Sequence, residues 1–443
     1  MSEYIIVSGG KRLKGTVTPI PNKNAILPAL CASVLTNETV TYRNVPKTTD
    51  VLKILQILQL LGANIDDSNF NNLKISCENI KSYKVNKYLG SLMRTSITLV
   101  GPLLHRFGIA EIPLPGGCIL GKRSISSHID ALSKAGVKVS FLKNDYVRFK
   151  APKKIKKIYS IWMFEASVTA TENLVMYTSG LNSKVTIIDA ACEPHVVELC
   201  KMMHLMGAKI SGLNSNKLVI KGTRNLKKCT FKPDPDFVDI GGFIVAAAIT
   251  KGRITIKGAN IPEIVDGIIE SFSKFNISIT KSGKDLIVDG NNQIKIDLKK
   301  SGFPLAKENL PKFVPRPWPG FPVDLLPVVV TLCCKNNGRV LIQNWMYETG
   351  LEFTKLLNKM GAKIEILDSQ NIIVKGPVTF KGGKITSLGI IQACKALFLA
   401  SLADRTTTTL YGVDILKRRY PDLFKIYKKL GADIKVINED KIH

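Results

Sequence analysis

One phrase recurs six times along the chain, and it constrains the fold more than any other feature. A helical stretch ends in a large residue, a glycine follows, then a small residue, then a strand. It reads Leu61-Gly62-Ala63-Asn64-Ile65, Ala135-Gly136-Val137-Lys138-Val139 and Met206-Gly207-Ala208-Lys209-Ile210. A degenerate form, Phe275-Asn276-Ile277-Ser278-Ile279, comes fourth, followed by Met360-Gly361-Ala362-Lys363-Ile364 and Leu430-Gly431-Ala432-Asp433-Ile434. The spacing of roughly 70 to 85 residues is too long for a simple solenoid. Glycine, or asparagine once, is the residue that tolerates the left-handed backbone of a helix C-terminus. Upstream of most phrases lies an apolar helix rich in small residues, such as Phe243-Ile244-Val245-Ala246-Ala247-Ala248 or Ala396-Leu397-Phe398-Leu399-Ala400. Such a helix, apolar all round, is expected to be buried. A short strand and a second, amphipathic helix follow it. Strands alternating with helices predict an α/β protein of six units in two groups of three, with ligands expected between the groups.

The repeats also act as internal controls. In the first copy, Arg43-Asn44-Val45-Pro46-Lys47-Thr48-Thr49-Asp50 joins the strand to the second helix, and Asp50 is placed as its N-cap. In the second copy the link is far longer, running from Pro113 through Leu114-Pro115-Gly116-Gly117-Cys118 to Ser127. Folding does not require that insertion, since the other copies do without it. Cys118 sits on it with Lys122 and Arg123 nearby, and cations lower a thiol pKa and raise its reactivity. The alternative is an inert cysteine, which is the reading favoured for Cys31, Cys77, Cys192, Cys200, Cys229, Cys333, Cys334 and Cys394 in their apolar or strand patterns. Two further positions stand out. Lys23, within Pro21-Asn22-Lys23-Asn24, opens a buried helix and can join its dipole in holding an anion, or it is a solvated loop lysine. Asp324, within Phe321-Pro322-Val323-Asp324, is a functional carboxylate or simply an N-cap.

Composition narrows the class of function. Nine cysteines, with no Cys-x-x-Cys pair, argue against a zinc knuckle or a disulfide framework. The scatter fits a reduced, cytoplasmic protein. No apolar run approaches the ~18 residues that would span a membrane, and the first residues show no secretory pattern. The net charge of +28 is spread over the whole chain without aromatic interleaving, so it is read as diffuse surface charge rather than a nucleic-acid stripe. It also favours an anionic substrate.

Several of these segments together resemble the enolpyruvyl transferase family. They are Asn22-Lys23-Asn24-Ala25, Leu92-Met93-Arg94-Thr95-Ser96, Leu114-Pro115-Gly116-Gly117-Cys118, Arg123 with His128, Ala170-Thr171-Glu172-Asn173, Glu193-Pro194 and Phe321-Pro322-Val323-Asp324. The Gly-Gly-Cys loop sets the chain on the nucleotide-sugar side of the family rather than among shikimate-type members. The resemblance implies a two-lobed, inside-out α/β barrel of six βαβαββ repeats in two pseudo-threefold domains. One would span residues 23–233, the other 1–22 and 234–443, with the active site in the cleft between them and lobe closure excluding water. It implies transfer of the enolpyruvyl group from phosphoenolpyruvate to the 3-hydroxyl of UDP-N-acetylglucosamine, with release of phosphate, as in peptidoglycan precursor synthesis. By the same resemblance, Lys23, Arg123 and Arg418 meet the anionic donor and Arg94 supports them. Cys118 is the general acid or promotes product release, and it is the residue fosfomycin alkylates. Asp324 is the base on the sugar hydroxyl. Asn24 contacts the sugar, Ser167, Val168 and Thr169 meet the nucleotide, and His128 belongs to the substrate-binding set. No metal or cofactor is implied, and neither nucleic acid nor membrane is an expected partner.

The match also has gaps. The family's Asp-Leu-Arg (or Asp-Ile-Arg) triplet before the last buried helix is Ser387-Leu388-Gly389 here. An arginine expected in the link of the fifth copy falls at Gly350, and one near the start of the fourth copy at Phe237. Lys417 or Arg419 could compensate in part. Three readings stay open: transfer to UDP-N-acetylglucosamine, transfer to another nucleotide such as UMP, or a weakened, non-catalytic paralogue.

Overall fold

The computed structural model describes residues 3–114, 124–299, 302–306 and 310–438. Each recurrent phrase forms the expected helix end. Gly62, Gly136, Gly207, Asn276, Gly361 and Gly431 all have positive φ, from 64° to 116°. Asn276 is the one non-glycine residue in the set, and asparagine tolerates that conformation; its side chain donates to the carbonyl of Gln293, 17 positions on.

The third copy shows the unit most completely. Strand Ile158–Trp162 runs parallel to Lys184–Ile188, with helix Val168–Ser179 as the crossover between them. Helix Pro194–Leu205 follows, then the hairpin Lys209–Ser211 and Lys217–Lys221 returns antiparallel to complete a four-stranded sheet. This is a βαβαββ repeat. The described residues contain six sheets, one per copy, of which four have four strands, one five and one three.

The described chain divides into two compact units, one of residues 21–114 and 124–234, the other of 3–20 and 235–438. Each has its own apolar core. Strands from distant parts of the chain complete the sheets. Glu3–Ser8 lies between Thr407–Tyr411 and Asp433–Asn438, antiparallel to both, and Lys14–Val17 runs parallel to Arg253–Ile256. In the other unit Thr230–Phe231 pairs in parallel with Val40–Tyr42.

The helices expected to be buried all round are buried. Every residue of Phe237–Ile249 is buried, and it packs with Leu326–Lys335 and Ile391–Ala403 in the centre of one unit. The run from Leu325 to Cys334 is therefore a core element, and among the described residues no helix is long and apolar enough to cross a membrane. The N-cap expectation for Asp50 is corrected. Thr48 caps helix Thr49–Leu61, its hydroxyl accepting from the amide of Val51, and Asp50 lies inside the first turn with its side chain turned into the protein.

Candidate active site

Lys23 is the first residue of helix Lys23–Ala32. The Asn22 side chain caps that helix by accepting from the amide of Asn24 at 3.0 Å. Lys23 is only 7 % exposed, and its Nζ lies 2.8 Å from the Asp50 carboxylate, itself buried. A solvated loop lysine is thereby excluded. An ammonium at a helix N-terminus repels the dipole's positive end, so Asp50 offsets that cost and holds the charge in place. Asn24 is half-buried beside it. Arg94 opens the 3-10 turn Arg94–Leu99, and its Nη2 donates to the carbonyl of Ser124 at 3.5 Å. Cys118, Lys122 and Arg123 lie outside the described residues.

His128 does not present itself to a ligand. It is fully buried on helix Ser126–Lys134, with Nε2 3.0 Å from the Thr169 hydroxyl and Nδ1 3.1 Å from the Asn173 amide. Burial, aided by the charge of Arg94, pushes its pKa down to about 3, so the ring is neutral. The place expected for His128 in a substrate-binding set is not one of direct contact here, since the ring is fully buried. His128 holds Thr169 at the start of helix Val168–Ser179. Ser167, Val168 and Thr169, all half-buried, form that helix N-terminus. The first amides of a helix have no intrahelical acceptor and suit a negatively charged group. Asn173 ties the helix to its neighbour, accepting from the amide of Gly101 at 2.6 Å and donating to the carbonyl of Ile97 at 2.8 Å. Glu172 is buried on the same helix. Burial, and the nearby carboxylate of Glu193, push its pKa well above the usual carboxylate range.

In the other unit, Asp324 lies in the 3-10 turn Val323–Leu325 and makes no side-chain capping bond. Its role as a mere N-cap is thereby excluded. It is one-third exposed and lines a small, mostly apolar hollow of about 30 Å³ with Pro327, Asn344, Phe353, Ile390 and Gln392. Arg418, half-buried, ends the 3-10 turn Val413–Arg418. Arg419 turns into the protein and is 3 % exposed. Its Nε and Nη2 donate to the two Asp236 oxygens at 2.8 and 2.7 Å, and its Nη1 approaches Asp324 at 3.5 Å. Burial disfavours the charged guanidinium, but Asp236, Tyr420 and Asp324 together outweigh it and raise the pKa. Lys417 pairs with Glu3 at 3.1 Å and Asp414 at 3.2 Å. Lys417 and Arg419, the cations expected to compensate in part, thus both pair with carboxylates of the protein, Arg419 buried and Lys417 half exposed.

The positions that depart from the family pattern are structurally coherent. Phe237 packs its ring against Trp318 at 6.0 Å between centroids. Gly389 has φ +70°, where a side chain is strained. A Cβ on Gly350 would run into the amide nitrogen of the Asn344 side chain, which would have to shift. At Gly389 the backbone itself suits glycine.

Sequence reasoning missed Asp236, Asp239 and Lys395, and it read Arg419 only as a substitute for missing cations. Lys395 is fully buried in the apolar helix Ile391–Ala403, with Nζ 2.8 Å from Asp239 and 3.9 Å from the Tyr420 ring centroid. Its signal was legible: a lysine in an otherwise apolar helix needs a buried partner. All eight described cysteines have thiol pKa values raised by burial, to about 12 for Cys31, Cys77, Cys200, Cys334 and Cys394, which suits structural roles. Among the described residues no cluster of His, Cys, Asp or Glu could hold a metal ion.

Lys23, Asn24, Arg94, His128 and Ser167 to Thr169 belong to one unit, Asp324 and Arg418 to the other. Comparison with known proteins adds a chemical frame. The pattern of the EPSP synthase (3-phosphoshikimate 1-carboxyvinyltransferase) family matches residues 7–427. A UDP-N-acetylglucosamine 1-carboxyvinyltransferase of Borrelia garinii is 36% identical over 434 residues, covering 98% of each chain. One of Treponema denticola is 35% identical over 436 residues, covering 98% of this chain and 99% of its own. Among solved structures, the enolpyruvyl transferase NikO of Streptomyces tendae superposes with a TM-score of 0.84 at 19% identity, covering 98% of this chain and 99% of its own. EPSP synthase of Acinetobacter baumannii superposes with a TM-score of 0.74 at 16% identity, covering 99% and 100%.

Proposed function

The chain belongs to the EPSP synthase family of enolpyruvyl transferases, and from that premise we propose that it transfers the enolpyruvyl group of phosphoenolpyruvate to the 3-hydroxyl of UDP-N-acetylglucosamine. Phosphate leaves, and the product enters peptidoglycan precursor synthesis. The observation that carries this reading is the full-length identity of about a third with enzymes of that name. Local chemistry supports it. The donor is a small trianion and needs fixed cations. Lys23, held against Asp50, supplies one, and Arg94, Arg123 and Arg418 complete the proposed set. Asn24 meets the sugar, and the amides at Ser167 to Thr169 suit the nucleotide phosphates. Asp324 accepts the proton of the attacking hydroxyl, Cys118 protonates C3 or assists product release, and the tetrahedral intermediate then expels phosphate. Cytoplasmic metabolites are consumed, so the reading places the protein in the cytoplasm.

A second acceptor, such as UMP, is favoured by one observation. Asp324 borders a small apolar hollow that includes Gly350, where the family pattern calls for an arginine. Phosphate release from phosphoenolpyruvate separates the readings. Release with UDP-N-acetylglucosamine and not with UMP is expected, whereas release with UMP alone transfers the assignment to the second acceptor. No release with either refutes catalysis and leaves the binding paralogue. Incubation with fosfomycin and the sugar nucleotide is expected to add the drug's mass at Cys118.

A further inference from the structure

Two buried cations lie close to the Tyr420 ring, and each has a buried carboxylate of its own. Lys395 pairs with Asp239 at 2.8 Å, and Asp239 also accepts from the amide of Ile20 at 3.2 Å. Arg419 pairs through two parallel N–H bonds with Asp236, which is fully buried and in turn caps helix Phe237–Ile249 by accepting from the amide of Val238 at 2.9 Å. The Tyr420 ring lies between the two cations, with Arg419 Cζ 6.0 Å and Lys395 Nζ 3.9 Å from its centroid. Every part of this cluster is therefore immobilised by a second part.

Asp324 differs from the other two carboxylates. It is one-third exposed, it borders the hollow, and its Oδ2 lies 3.5 Å from the Nη1 of Arg419. A guanidinium already locked on two nitrogens presents its third in a fixed direction.

We infer that Arg419 is a positioning residue for Asp324: clamped by Asp236, it anchors one carboxylate oxygen and leaves the other for the acceptor hydroxyl. This rests on the proposed role of Asp324 as base. In the step concerned, the hydroxyl proton passes to Asp324 as the sugar oxygen bonds C2 of the enolpyruvyl group. Misplacing such a base by about 1 Å costs on the order of a hundredfold in rate. Among the described residues, the walls of the hollow provide no other charged group to hold the carboxylate, so the anchor has to come from outside those walls.

The test uses the full chain and compares Arg419→Gln, Asp324→Asn and the double variant, with folding checked by thermal melting. Because Arg419→Gln strips Asp236 of its partner, Asp236→Asn combined with Arg419→Gln serves as a second, charge-neutral form. Arg419→Gln is expected to lower kcat at least about tenfold with little change in KM for the acceptor. In the Asp324→Asn background the same substitution is expected to cost almost nothing, because its effect runs through Asp324. An equal loss of kcat in both backgrounds, or an unchanged kcat in folded Arg419→Gln, overturns the inference. A crystal structure of the Arg419→Gln variant needs no turnover: the anchoring idea expects the Asp324 carboxylate to leave its place. Finding it unmoved overturns the inference even if the native chain is inactive, which by itself counts only against the proposed function.

Discussion

His128 makes the stability of its unit sensitive to acid. In the folded protein burial holds its pKa near 3, whereas an unfolded histidine titrates near 6.5. The unfolded chain therefore binds a proton between these values that the folded chain refuses, so stability is complete above pH 6.5 and falls as the pH drops toward 3. At pH 5 the loss from this residue alone is about 2 kcal/mol, and in the acid limit it approaches about 5 kcal/mol. No discount for solvent applies, because the ring is fully buried. The direct assay is chemical denaturation at pH 8 and pH 5 of the native chain and of His128→Gln. An amide keeps part of the bonding to Thr169 and Asn173 but does not titrate. The variant is less stable at both pH values, and that offset cancels in the comparison. The native chain should lose about 2 kcal/mol more than the variant between the two conditions. Equal losses, within about 0.5 kcal/mol, refute the reasoning and mean that the ring is solvated or protonated in the fold.

The other expectations concern Glu172 and Gly389. Glu172 has a raised pKa, so its burial becomes more costly as pH rises above the unfolded value. Glu172→Gln should therefore stabilise the protein at pH 8, with the gain growing at most by about 1.4 kcal/mol per pH unit above pH 4.3 and vanishing below it. A pH-independent difference in midpoint would sink this. Gly389→Arg returns a charge at the position where the family carries arginine, but at φ +70° the side chain should cost about 1–2 kcal/mol. A calorimetric melting temperature at or above that of the native chain would show that the backbone there relaxes freely.

Much of the fold is local and was legible before any coordinates. Each of the six helix ends needs a left-handed residue, and glycine or asparagine marks it in the sequence. A helix such as Phe237–Ile249, without a polar face, has nowhere to go but a core. The eight structural cysteines announced themselves by apolar neighbours, and Lys23 and Asp324 by their place at the start of buried helices. What escaped was pairing. Asp50 looked like a cap until packing set it 2.8 Å from a lysine 27 positions earlier. Arg419 looked available to a ligand until Asp236, 183 positions earlier, took it. His128 looked like a ligand contact, but the helix beside it carries Thr169 and Asn173 to both of its nitrogens. Backbone preference and hydrophobic period act over a few residues and are written in the sequence order. Which charge meets which carboxylate, and which imidazole is dry, depends on the separation of side chains brought together from remote parts of the chain, and only the tertiary packing decided that.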